Sequence, residues 1–97
     1  MAEEIYDLAI VGGGPAGMSA AVNARARNKD VVIFESGQLV SKVDISPHIR
    51  NYLGFSDITG PELAEKFISH IEDENIPVIN EKVVKAYPMG DKVMLTT

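Results

Sequence analysis

The chain has 97 residues, enough for at most one small domain, because small chains bury a smaller share of their surface. Its 45% apolar and 24% charged residues are typical of a globular protein. A net charge of −5 argues against nucleic acid or an anionic membrane surface as a partner. No apolar run reaches membrane-spanning length, so we expect no membrane association and a cytoplasmic location.

Two absences limit the chemistry that these residues can perform. The sequence contains no cysteine, which excludes a disulfide scaffold, a thiolate metal site and a cysteine nucleophile within the 97 residues. The two histidines, His48 and His70, lack a second ligand at a suitable spacing, so we expect no metal site. We also expect no catalytic side chain in this chain.

The first predicted elements surround a glycine-rich turn. A strand-like run, Ile5–Val11, leads into Gly12-Gly13-Gly14-Pro15-Ala16-Gly17, and the helix-forming run Met18–Arg27 follows. A second apolar run, Val31–Phe34, ends at Glu35. Strand, glycine turn, helix, strand and acid in this order predict a dinucleotide-binding unit.

Each position of the turn has a physical role in that prediction. Gly12 suits the positive φ of a sharp turn, Gly14 lets the backbone approach a pyrophosphate, and Gly17 lets the helix pack closely on the sheet. Pro15 fits the first helical turn, whose unpaired amides attract phosphate. The carboxylate of Glu35 is placed to accept hydrogen bonds from both hydroxyls of an adenosine ribose.

A long connection and a second helix come next. Residues 36–60 show little periodicity and are predicted to form a long connecting loop. Thr59-Gly60-Pro61-Glu62 then has the pattern of a capping box, and apolar residues recur at four-residue spacing in the helix that it begins. Asn75 and Pro77 are predicted to end this helix.

The last third of the chain is predicted to be β structure. Val78-Ile79 is predicted as a third strand, and Val83–Tyr87 and Lys92–Thr96 as a hairpin around a turn at residues 88–91. The predicted fold class is therefore α/β, with a small parallel sheet and a β-hairpin.

Two motifs resemble a known family. Residues 8–21 resemble the amino-terminal FAD motif of flavoproteins with two dinucleotide-binding domains. The segment Asn51-Tyr52-Leu53-Gly54-Phe55, followed by Ile58–Leu63, resembles the thioredoxin reductase branch of that family more narrowly. Residues 81–85 resemble its adenine-side strand.

The resemblance implies a set of FAD contacts. The pyrophosphate would lie along the glycine turn, the ribose at the acid after the second strand, and the adenine at the later strand. The flavin and its ribityl chain would lie near the loop that precedes the second helix. The implied cofactor-binding residues are Gly12, Gly14, Pro15, Ala16, Glu35, Ser36, Lys42, Val43, Asn51 and Val83. For Asn51 the alternative is a turn residue that caps its own backbone, and for Val83 it is a plain strand residue.

One loop departs from the family pattern. The family has Gly-Gly-Gln-Leu near the flavin, whereas a count without gaps between Glu35 and Asn51 places residues 40–43 there, with Lys42 at the glutamine position. The alternative assignment is Gly37-Gln38-Leu39, which lies closer to Glu35. Lys42 would either stabilise a reduced flavin or lie solvated on the loop surface. Leu53 also stands where the family has proline.

The resemblance further implies that residues 1–97 are a single, incomplete FAD-binding domain, a partial Rossmann-like fold whose hairpin begins a three-stranded meander. The parent would be a homodimeric, cytoplasmic flavoenzyme that relays electrons from NADPH or another donor through FAD to a disulfide outside this chain. A thioredoxin-like protein would be its substrate, and the chain alone would be inactive. Two alternatives stay open: a NAD(P)-binding module, and a non-catalytic scaffold that keeps the dinucleotide-binding fold.

Overall fold

A computed structural model of the chain describes residues 4–97. The elements confirm the predicted α/β class and the predicted order of the main helices and strands. In chain order they are β1 (Leu8–Val11), α1 (Pro15–Ala26), β2 (Val31–Phe34), α2 (Ser41–Asp44), α3 (Gly60–Asp73), β3 (Val78–Ile79), β4 (Lys85–Met89) and β5 (Lys92–Thr96).

The first three strands form a parallel sheet with β2 in the centre. Leu8 pairs with Val31 across β1 and β2, and Ile33 pairs with Val78 across β2 and β3. Val31, Val32 and Ile33 are all buried, with at most 3% of their surface exposed. A continuous apolar run is typical of a parallel strand that is covered on both faces.

The helices α1 and α3 pack together beside this sheet. Met18 and Ala21 of α1 join Ile33 of the sheet and Ala64 and Ile71 of α3 in one buried apolar cluster. This packing fixes the start of α1 directly beyond the carboxyl end of β1.

The capping prediction for α3 is confirmed. The Thr59 side chain accepts from the Glu62 amide at 3.2 Å, and the Glu62 carboxylate accepts from the Thr59 amide at 3.1 Å. Asn75 has a positive φ of 55°, just beyond the end of the helix at Asp73. Asparagine tolerates this left-handed conformation, which explains why the helix ends there.

The long connection contains more structure than predicted. Residues 41–44 form the short helix α2, and two isolated bridges, Ile49 to Ile58 and Tyr52 to Phe55, close the segment that follows. The expectation of an irregular loop over residues 36–60 was therefore wrong for α2. The Val40 amide, directly before α2, donates to the Gly13 carbonyl, a long-range contact that leaves no periodic signal in the sequence.

The hairpin is confirmed, but its bounds differ from the prediction. Strand β4 begins at Lys85 and continues through Pro88 to Met89, so the turn is confined to Gly90 and Asp91. Val83 lies before the strand rather than in it. Gly90 has a φ of +67°, the left-handed geometry that a two-residue hairpin turn requires.

Candidate functional site

The turn between β1 and α1 has the geometry expected of a phosphate-binding turn. Gly12 has a φ of +116°, and its amide donates to the Phe34 carbonyl of β2 at 2.8 Å. A Cβ at Gly17 would overlap the Gly12 carbonyl oxygen and lie 3.0 Å from Ile10 Cγ2, whereas a Cβ at Gly14 would meet nothing within 4 Å. Gly17 therefore permits close packing, and Gly14 leaves open space in front of the backbone.

The amino end of α1 has amide groups suited to an anion. Pro15 occupies the first turn, no acidic side chain lies in that turn, and Gly14 offers no side-chain cap. Within residues 4–97 the amides of Ala16 and Gly17 have no hydrogen-bond partner, and the first helical bond runs from Met18 N to Gly14 O at 3.0 Å. Unpaired amides at the positive end of a helix dipole favour phosphate. The donor set and the open space at Gly14 thus fit a dinucleotide pyrophosphate.

Glu35 lies beside this turn and is bonded to it. One carboxylate oxygen, Oε1, accepts from the Gly13 amide at 2.7 Å, and Oε2 accepts from the Gly37 amide at 2.9 Å. Two backbone hydrogen bonds, the more effective one from Gly37 and the other from Gly13, hold the pKa of Glu35 below its usual value. The carboxylate is therefore ionised at neutral pH and is an acceptor for further donors. Ser36, predicted beside the ribose, is exposed.

Two residues that the sequence analysis did not connect with this turn complete its support. The Val40 amide donates to the Gly13 carbonyl at 2.8 Å, and the Leu39 side chain occupies the space that a Cβ at Gly13 would need. Val40 is 2% exposed and has a φ of 47°, a left-handed conformation that costs free energy in a β-branched residue. In the sequence, only the glycine triplet indicates a close approach at Gly13, because the residues that contact it lie more than twenty positions later in the chain.

The two alternatives for the flavin-side loop have different surroundings. Lys42 lies on α2 with an exposed side chain, and Val43 packs against the apolar core. The Gln38 amide donates to the Asp44 carboxylate at 3.2 Å, so Gln38 is tied to the end of α2. The assignment of Lys42 to the flavin remains a prediction.

The loop after Asn51 forms a tight turn. Leu53 is 98% exposed, Gly54 has a φ of +103°, and the Phe55 amide donates to the Tyr52 carbonyl at 3.0 Å. Asn51 is exposed, and its assignment to the flavin end stays a prediction.

Val83 lies apart from the glycine turn in the sequence and outside the strands. It is half-buried, and its backbone groups make no backbone hydrogen bond within residues 4–97, whereas the Val84 amide donates to Thr96 O at 2.8 Å. The alternative of a strand residue is therefore wrong for Val83, and the predicted adenine contact stays a prediction.

Other features of the described residues are weaker candidates for a functional site than the glycine turn. A cavity of about 310 Å³ lies between the sheet and the hairpin. Its lining is mostly apolar and includes Ala9, Phe34, Met94 and Leu95. Among residues 4–97 no group of three metal-ligating side chains comes together. No helix in that range is long and apolar enough to cross a membrane.

Alanine should destabilise the fold at Gly17 and change its stability little at Gly14. Replacing a glycine inside a helix by alanine usually raises the free energy of unfolding by up to about 1 kcal/mol. The overlap with the Gly12 carbonyl reverses this, so Gly17→Ala should lower the free energy of unfolding by about 1–3 kcal/mol. Gly14→Ala should change it by less than about 1 kcal/mol. Urea denaturation followed by circular dichroism measures both, and equal stability of the two variants would contradict the packing at Gly17.

The comparisons with known proteins agree with this geometry. The family described as Pyridine nucleotide-disulphide oxidoreductase matches residues 6–97. A thioredoxin reductase of Ureaplasma parvum is 37% identical over 99 residues, which cover 100% of this chain and 32% of the relative. The crystal structure of thioredoxin reductase from Streptococcus pyogenes superposes with a TM-score of 0.89 at 39% identity, covering 95% of this chain and 30% of that one.

A further similar structure belongs to a differently named enzyme. A ferredoxin-flavin thioredoxin reductase from Clostridium acetobutylicum is 50% identical with a TM-score of 0.90, covering 97% of this chain and 33% of that chain. The chain thus spans about a third of the length of the relatives that it matches. With a family match that covers nearly all of its residues, the chain belongs to the pyridine nucleotide-disulphide oxidoreductase family.

Proposed function

We propose that this chain is the FAD-binding portion of a flavin-dependent disulfide oxidoreductase similar to thioredoxin reductase. The observation that carries the proposal is the glycine turn, with the unpaired amides of Ala16 and Gly17 on one side and the Glu35 carboxylate on the other. The likeness to flavin-containing and other thioredoxin reductases supports a flavin over a nicotinamide module or a scaffold without cofactor.

Each part of the cofactor is assigned its own group of residues. The pyrophosphate is assigned to the turn, the ribose to the acid and its neighbour, the adenine to the segment before β4, and the flavin end to α2 and the following loop. Bound FAD supplies the electron transfer, and the chain supplies binding and orientation. The assigned residues are Gly12, Gly14, Pro15, Ala16, Glu35, Ser36, Lys42, Val43, Asn51 and Val83.

The activity of the whole protein is part of the proposal. Residues 1–97 contain no cysteine, so the reducible disulfide belongs to another part of the protein or to its substrate. We assign a thioredoxin-like protein as the substrate, a cytoplasmic homodimer as the functional form, and an incomplete, single FAD-binding domain to residues 1–97. The substrate assignment is supported by the similarity to thioredoxin reductases.

The electron donor has two candidates. NADPH is the donor implied by the family resemblance. A ferredoxin is the candidate favoured by the 50% identity with the ferredoxin-flavin enzyme, against 39% with the Streptococcus pyogenes enzyme. The departures at Lys42 and Leu53 from the usual family pattern also support a different donor, and we propose reduced ferredoxin.

Gly14→Val should abolish FAD binding in the full-length protein. A branched side chain would fill the open space in front of Gly14 and block the pyrophosphate, while folding changes little. Flavin absorbance of the purified protein measures binding. Ala26→Val, which adds bulk at the far end of α1, is the matched control and should keep its flavin. Stoichiometric FAD in the Gly14→Val protein would refute the site.

The donor is tested by anaerobic reduction of the bound flavin in the full-length protein. Reduced ferredoxin should bleach the flavin absorbance, whereas NADPH should not. Rapid bleaching by NADPH, with none by ferredoxin, would overturn the donor proposal and leave the FAD site intact.

Lys42→Gln should lower the midpoint potential of the bound flavin. A positive charge near the ring stabilises its anionic reduced form, and for a two-electron couple each 1.4 kcal/mol corresponds to about 30 mV. We expect a decrease of roughly 30 mV in a redox titration, and no change in Gln38→Ala. A change in Gln38→Ala alone would instead place residues 37–39 at the flavin.

A further inference from the structure

The backbone of Gly13 is held on both sides by the segment that follows β2. Its amide donates to Glu35 Oε1 at 2.7 Å, and its carbonyl accepts from the Val40 amide at 2.8 Å. A Cβ at Gly13 would overlap Leu39 Cδ2 and lie 3.2 Å from the Glu35 Cβ and Cγ atoms. All of these partners belong to the chain, so the arrangement requires no ligand.

The two oxygens of the Glu35 carboxylate have different partners. Oε1 binds the Gly13 amide, while Oε2 binds the Gly37 amide at 2.9 Å. The carboxylate thereby connects the turn after β1 with the turn after β2. Because an ionised carboxylate offers about four acceptor positions, two remain for other donors, such as two ribose hydroxyls.

We propose that Glu35 is a positioning residue whose carboxylate bridges the Gly13 and Gly37 amides and fixes the shape of the glycine turn before a dinucleotide binds. This role is additional to accepting the ribose hydroxyls. Only its benefit to FAD binding rests on the proposed function. The bridge itself is a property of the chain.

The environment of Glu35 makes the bridge dependent on pH. Backbone hydrogen bonds from Gly37, Gly13 and Ser36 lower the pKa of Glu35, and burial opposes them. The groups that act on it are backbone amides rather than charged side chains. With its folded pKa below the unfolded value, Glu35 contributes stability that is fully present above the unfolded pKa. That stability is lost as the pH falls through the folded pKa.

The experiment follows the amide resonances by NMR in the 97-residue chain labelled with ¹⁵N-glycine, which contains eight glycines. No nucleotide is added. The Gly13 and Gly37 amides should shift together in an acid titration, with one midpoint below the usual glutamate pKa. If the isolated chain gives no dispersed spectrum, the same titration is made on the full-length protein.

A glutamine side chain keeps one acceptor oxygen and can accept from only one of the two amides. Glu35→Gln should therefore remove that titration and speed hydrogen exchange about tenfold at the Gly13 or the Gly37 amide, a factor equivalent to 1.4 kcal/mol. Glu65→Gln makes the same charge change on the exposed side of α3 and should leave both amides unchanged. Separate midpoints for Gly13 and Gly37, or unchanged exchange at both amides in Glu35→Gln, would overturn the bridge.

The result is independent of the proposed function. Joint titration of the two amides in a protein that fails to bind FAD would support the bridge and refute the FAD assignment. FAD binding without the joint titration would support the FAD assignment and refute the bridge, so that Glu35 would contact only the ribose.

Discussion

The contact between the Gly13 peptide and the segment after β2 determines the geometry of the candidate site. The amide and the carbonyl of Gly13 are both bonded to that segment, through Glu35 and Val40. Since α1 begins two residues later, at Pro15, this contact sets where the free helix amides point. The parallel pairing of β1 with β2 brings the two turns to the same edge of the sheet.

The same contact connects the turn assigned to the pyrophosphate with the residues assigned to the flavin. Val40 precedes α2, and Lys42 and Val43 of that helix are the residues assigned to the flavin side. The strained conformation of Val40 is retained because its amide is bonded and its side chain is buried in the core. The pyrophosphate turn and the flavin-side helix are therefore parts of one packed unit.

Local patterns in the sequence predicted most of the fold. The Thr59 and Glu62 capping box, the end of α3 near Asn75 and the strand Val78–Ile79 are all confirmed, because turn chemistry and apolar periodicity act over a few residues. Helix α2 and the support of Gly13 were not predicted. Both depend on contacts between segments more than twenty residues apart in the chain, such as the bond from Gly13 to Glu35. Nor does the sequence choose between Gln38 and Lys42 at the flavin, since their side chains lie on the same connection.

The central claim is that the dinucleotide lies across the glycine turn with its ribose at Glu35. A crystal structure of the full-length protein with FAD tests it most directly. The account predicts the pyrophosphate within hydrogen-bonding distance of the Ala16 and Gly17 amides, and the ribose hydroxyls at the Glu35 carboxylate. A dinucleotide bound elsewhere, such as in the apolar cavity between the sheet and the hairpin, would contradict it.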